Sequence, residues 1–266
     1  MRDKGFIIRT PCVKSLFCNE SVELMPTYRR ILLKLSGEAL ASENNNIDPL
    51  TLNKVVSIVR SALDQGVEVA IVIGGGNIFR GANLAQAGMN RVTGDHIGML
   101  ATVMNALAIS DAFERQQIST IVMSGFPIGG GVCEPVDHKK AKAALSNGQV
   151  VIFSAGTGNP CFTTDTGAAL RAIEVEADVV FKATKVDGIY CSDPTTNPNA
   201  IKYNSLSFNE AIEKNLAVMD TAAFALCREH NINICVFSML DDTNTLSHIL
   251  NGHSVGTTVS QSGDLS

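Results

Sequence analysis

Apolar residues along this chain come in short continuous runs, separated by stretches where they recur every three or four positions. The continuous runs read as strands buried on both faces: Arg30 to Lys34, Val67 to Ile73, Ile118 to Met123, Val150 to Phe153, Val179 to Phe181 and Ile234 to Phe237. The intervening stretches read as helices. Asp48-Pro49 supplies a cap and a first-turn proline for a helix whose apolar stripe is Leu52, Val55, Val56, Val59 and Leu63, closed by Gly66. Asp95 stands where it can cap a long apolar helix reaching about Arg115. Helices are also predicted over 137–147, with Gly148 ending it, and over Thr166 to Glu176. Ser207-x-x-Glu210 is a capping box, Asp220 caps a helix through His230, and Thr243 to Leu250 forms the last helix. Such alternation predicts an α/β fold: one domain over 27–266, with a mostly parallel central sheet and helices on both faces, three layers (αβα). Residues 1–26 lack periodicity and read as an N-terminal extension, disordered or begun at too early a start.

Ligands of such a sheet sit at the carboxyl ends of its strands, and that is where the glycines cluster. Ile71-Val72-Ile73 runs into Gly74-Gly75-Gly76, with Arg80-Gly81 beyond. Glycine turns also follow at Ser124-Gly125 and at Ala155-Gly156-Thr157-Gly158. Residues without Cβ let backbone N–H groups approach an anion, and Arg80 adds a forked, permanently charged donor. One such turn could equally be tight strand–helix packing. Three at neighbouring strand ends favour the anion.

Composition narrows the classes. The chain has 266 residues, 45% hydrophobic and 18% charged, with a formal net charge of −5. Residues 1–25 hold four basic and three acidic side chains, so the remainder carries about −6, which argues against a general nucleic-acid binder. Seven cysteines (12, 18, 133, 161, 191, 227, 235) form no CxxC pair, and five histidines form no HExxH, so no metal-ligating residue is named. An odd set of scattered thiols predicts a cytoplasmic protein. No apolar run is read as long enough to span a bilayer, so no membrane partner is expected, and Phe6-Ile7-Ile8 is too short for a signal segment.

Two common nucleotide signatures are missing: there is no G-x-x-x-x-G-K-[ST], and Gly156-x-Gly158-x-x-Cys161 fails G-x-G-x-x-G at its last position. Lys34-Leu35-Ser36-Gly37-Glu38 ends the first strand with an ammonium, a hydroxyl and close-approach backbone. Alone, Lys34 reads first as a surface lysine. Thr157 to Asp165 and Lys182 to Pro194 then add hydroxyls, lysines and carboxylates after two further strands. Lysines, glycine nests and a carboxylate at adjacent strand ends suit phosphoryl transfer.

KLSGEAL (34–40), IGGGNIFRG (73–81), MNRVTGDHIGMLATVMNALA (89–108), SAGTGNPCFTTD (154–165) and KATKVDGIYCSDP (182–194) together resemble the bacterial UMP kinases of the amino acid kinase superfamily. The likeness runs from about Tyr28 to Gly256. It implies transfer of the γ-phosphoryl of ATP to UMP, giving UDP and ADP in pyrimidine nucleotide biosynthesis, with Mg²⁺ accompanying ATP. It implies that Lys34, Leu35, Ser36, Gly37, Gly76 and Arg80 meet the ATP phosphates, while Thr184, Tyr190 and Asp193 hold its adenosine. Gly75 and Asp95 would take the phosphate and ribose of UMP. Thr157, Gly158, Asn159, Pro160, Cys161, Phe162, Thr163 and Thr164 would enclose the rest. Lys34, Asp165 and Arg80 are the catalytic candidates, with Lys182 a further partner of Asp165. For Asp220 the capping role is preferred, and Met99 and Met104 read as core filler.

The resemblance also implies a homohexamer and, as in Gram-negative relatives, inhibition by UTP and activation by GTP. Departures from the pattern are the extension through Pro26, a Gly129-Gly130-Gly131 loop one residue longer than usual, Cys161 where an aromatic residue is common, and a shortened asparagine-rich stretch at 42–46. Two rival readings are a superfamily kinase for an amino acid or carbamate, and a nucleotide-binding regulator without turnover.

Overall fold

The continuous apolar runs do build the sheet. The computed structural model describes residues 26–79, 88–216, 218–239 and 244–263. Its strands are β1 (Arg30–Leu35), β2 (Glu68–Ile73), β3 (Thr120–Ser124), β4 (Glu134–Pro135), β5 (Val150–Ser154), β6 (Val179–Thr184), β7 (Ser205–Ser207), β8 (Asn233–Ser238) and β9 (Thr257–Ser260). They lie in the order β4-β3-β5-β2-β1-β6-β8-β9-β7. Every neighbouring pair is parallel except β8 with β9. The helices are α1 (Pro49–Leu63), α2 (Arg91–Arg115), α3 (His138–Ser146), α4 (Thr164–Val175), α5 (Phe208–Glu213), α6 (Thr221–Glu229) and α7 (Thr245–Leu250).

Alternation along each strand splits the core in two. Ile31, Leu33 and Leu35 of β1 join Phe181 of β6 and the apolar stripes of α1, α2 and α7 on one face. Leu32 joins Val180 and the stripes of α3, α4, α5 and α6 on the other. Lys34 and Lys182 continue the second face at the carboxyl ends of their strands. The caps read from the sequence hold for Asp48, which accepts from the backbone N–H of Leu50 and Thr51, for the Ser207–Glu210 box and for Asp220.

Several expectations need correcting. Asp95 does not cap α2; Asn90 does, accepting from Val92 and Thr93, and Asp95 lies within the first turns. Helix α4 begins two residues earlier than expected because Thr163 caps it, which places Asp165 in its first turn. Strands β4, β7 and β9 were not foreseen. They are short, and β9 (Thr-Thr-Val-Ser) is an antiparallel addition lacking a continuous apolar run. Met104 is not core filler: it is 54% exposed, on the outer side of α2 with Leu100 and Leu107. That 25-residue helix is long and apolar enough to cross a bilayer, contrary to the sequence reading, yet half of its most apolar stretch is buried in the protein. The N-terminal extension lies, but for Pro26, outside the described residues.

Phe181 is the centre of an aromatic chain, edge-on to Tyr28 at 5.6 Å and to Phe237 at 5.9 Å. Phe181→Ala is expected to cost about 3–5 kcal/mol, read as a lowered midpoint in chemical denaturation.

Candidate active site

Lys34 and Lys182 are register partners on the adjacent strands β1 and β6. Their side chains are only 11% and 10% exposed, so Lys34 is no surface lysine. Two buried like charges this close need a counter-charge, and Asp165 from the first turn of α4 supplies it. Its Oδ1 lies 2.8 Å from Lys34 Nζ and its Oδ2 2.7 Å from Lys182 Nζ. Burial alone would raise the Asp165 carboxyl; the two ammonium groups outweigh it and hold the group below the usual carboxylate range. Burial draws Lys182 below its ordinary value, against the pull of Asp165 and with the push of Lys34. Lys182 Nζ also donates to the Val218 carbonyl.

The glycine turns interlock at close range. A Cβ on Gly37 would lie 2.5 Å from Asn77 Oδ1 and 2.6 Å from the Gly74 carbonyl, and one on Gly75 would lie 2.8 Å from Ala101 Cβ. Gly76 is different, since a Cβ there meets nothing nearer than 4.0 Å. Asn105, fully buried on α2, donates to the Gly74 carbonyl at 2.7 Å and exchanges hydrogen bonds with the Asn77 side chain. Gly158 sits at φ +83° with the Gly125 carbonyl only 2.1 Å from where a Cβ would stand. Ser36 precedes the 3-10 turn Gly37–Leu40 without spending its hydroxyl on a cap. The Leu35 side chain is fully buried, so Leu35 can offer a ligand backbone alone.

A cleft of about 410 Å³ is lined by Gly75, Gly76, Asp95, Thr157, Asn159, Phe162, Thr163 and Thr164 among others. Gly158, Pro160 and Cys161 are not among its lining residues. Asp95 ties the cleft's two walls together: Oδ2 accepts from the Cys161 N–H at 2.7 Å, and the carboxylate pairs with Arg91. Thr163 is committed to its cap and to Asp220, which also takes the Thr166 hydroxyl at 2.9 Å. A second cleft, of about 480 Å³, is lined by Thr184, Val186, Gly188, Tyr190, Asp193 and Val218, among others. The Tyr190 hydroxyl donates to Asp187 at 2.6 Å, and Asp193 closes a turn by accepting from the Thr195 N–H. The trio links the clefts, because Thr164 of the first adjoins Asp165 and Val218 of the second takes Lys182. Arg80 and Gly81 lie outside the described residues.

The sequence signature of the amino acid kinase family matches residues 29–238. The chain belongs to the amino acid kinase family. Within the family it groups with the uridylate kinases. It is 70% identical to the uridylate kinase of Ruthia magnifica subsp. Calyptogena magnifica over 236 residues, covering 89% of this chain and 99% of the relative. The crystal structure of UMP kinase from Bacillus anthracis superposes with a TM-score of 0.85 at 38% identity, over 90% of this chain and 98% of that one. UMP kinase from Ureaplasma parvum gives a TM-score of 0.81, also at 38% identity, over 88% and 99%.

Sequence reasoning overlooked Thr102 and Asn105, polar residues on the buried face of this kinase's apolar α2, and the Val218 carbonyl. A polar side chain on an apolar stripe was the available signal; its partner was not. The thiols divide by burial. Cys161 and Cys191 are exposed, whereas burial pushes Cys227 and Cys235 up to about 12.

Asp165→Asn removes the charge between two buried lysines and is expected to destabilise by about 3–5 kcal/mol at neutral pH. Because the native carboxyl titrates below its unfolded value, its contribution is present above about pH 4 and lost as pH falls through the depressed value. Thermal melts of both proteins should therefore converge on acidification.

Proposed function

We propose that this chain catalyses ATP + UMP → ADP + UDP, the step that makes UDP for pyrimidine nucleotide biosynthesis. The observation that carries the reading is the buried Lys34–Asp165–Lys182 cluster, joined to one strand-end cleft through Thr164, next to Asp165, and to another through Val218, which takes Lys182. In this reading UMP occupies the cleft beside Asp95 and the 157–164 loop, with Gly75 at its phosphate. ATP occupies the cleft beside Thr184, Tyr190 and Asp193, with Lys34, Ser36, Gly37, Gly76 and Arg80 along its phosphates. A phosphate oxygen of UMP attacks the γ-phosphorus in line, the bond to the β-phosphate oxygen breaks, and ADP leaves. Lys34 neutralises the charge that spreads over the transferred group. No strong base is needed, since a phosphate monoester is largely dianionic near neutral pH. Asp165 is poorly suited to that role anyway, with each oxygen on an ammonium group; it orients the lysines.

Magnesium enters as part of the donor substrate, MgATP. A hard cation of this kind is held by phosphate oxygens and water with few protein ligands. A homohexamer is supported by the exposed stripe Leu100, Met104 and Leu107 on α2, an apolar face for subunits to bury. Inhibition by UTP follows from its sharing uridine with UMP. GTP activation rests on the resemblance alone, as the cytoplasmic setting rests on the scattered thiols. Light scattering against the 28.2 kDa chain mass and assays with added UTP or GTP test these points.

An ADP-release assay across UMP, CMP, aspartate and glutamate is expected to respond to UMP; turnover with an amino acid in place of UMP would sink the reading. Lys34→Ala should lower kcat roughly a hundred- to thousand-fold while UMP binding, followed by calorimetry, persists.

A further inference from the structure

The turn that opens the acceptor cleft begins at Ala155, a fully buried residue with φ +58°. A residue with a Cβ holds that left-handed backbone only when its surroundings impose it. Here they do so at each end of the residue. The Ala155 N–H donates to Thr102 Oγ1 at 2.7 Å, and the Ala155 carbonyl accepts from the Gly158 N–H at 2.9 Å. Thr102 is 5% exposed, and its own hydroxyl proton goes to the Met99 carbonyl one turn back at 2.7 Å. The orientation of the hydroxyl is thus fixed by the helix, with a lone pair aimed at Ala155. On the far side of the turn, the buried Arg171 of α4 donates to the Gly156 carbonyl at 3.0 Å. Ala155, Gly156 and Thr157 all line the acceptor cleft.

We infer that Thr102 is a positioning residue for the acceptor nucleotide: through the Ala155 N–H it fixes the turn whose backbone and Thr157 side chain meet the nucleoside monophosphate. The inference rests on the proposed UMP kinase activity and concerns one side of the site. Thr102 lies in the cleft lining too, but its hydroxyl proton is spent on Met99 and one lone pair on Ala155, so the role assigned to it is exercised through the turn. The donor cleft has no such tie to Thr102, and this separates positioning from general stabilisation.

The wild-type assay with UMP decides the underlying activity first; a variant series then decides this point. Thr102→Val keeps the shape but can neither accept from Ala155 nor donate to Met99. Thr102→Ser keeps both bonds, and Thr102→Cys offers a weaker acceptor. The KM for UMP is expected to rise in the order Ser, Cys, Val, reaching about tenfold for valine, the scale of one buried donor left unpaired. The KM for ATP should stay at the wild-type value. A flat series for UMP, or parallel rises in both KM values, would overturn the assignment. Should the valine protein fail to fold, the serine–cysteine comparison still decides.

Discussion

Two lysines on adjacent strands, at the same register position and almost wholly buried, set the terms for this fold. Unneutralised, they would repel strongly in a medium that screens poorly. Asp165 reverses that, and it can do so only if α4 starts where it does. Thr163 caps the helix, Asp220 holds Thr163 and Thr166, and Asp220 itself caps α6. One ion cluster thereby fixes the approach of two helices to the sheet. An ion cluster of this kind is weak evidence of net stability, since desolvation offsets much of its Coulomb gain. Its value here is geometric.

The glycine turns show how packing and chemistry share a motif. The sequence favoured an anion over tight packing at such turns, and the structure shows tight packing at several of their glycines. Gly37, Gly75 and Gly158 are glycines because another backbone or helix occupies the space of a Cβ, while Gly76 faces open room. Rigid packing of this kind holds the turns in one geometry, and a surface so fixed costs no reorganisation when charge develops beside it.

The parallel core was legible in the sequence because strands covered on both faces must be apolar throughout, and each such run became a strand. Beside it, β9 could not be read, since an antiparallel addition near the sheet edge needs no such run. Lys34 and Asp165 were legible as chemistry at strand and helix ends. That Lys182 stands opposite Lys34 was not, because register is set by long-range pairing. Thr102 and Asn105 were hidden for the same reason: the sequence displays a polar side chain on an apolar helix but not the turn it reaches.

The strand order also has a consequence in time. β1 is flanked by β2, soon after it in the chain, and by β6, which is completed only at Thr184. A ribosome adding roughly 5–20 residues per second leaves β1 with one open edge for on the order of ten seconds before β6 can emerge. For that interval an edge of unpaired N–H and C=O groups, carrying apolar side chains and an uncompensated Lys34, waits for its second neighbour. The ion cluster is thus assembled late in synthesis, and the Lys34 ammonium spends its first moments hydrated at the rim of an unfinished sheet.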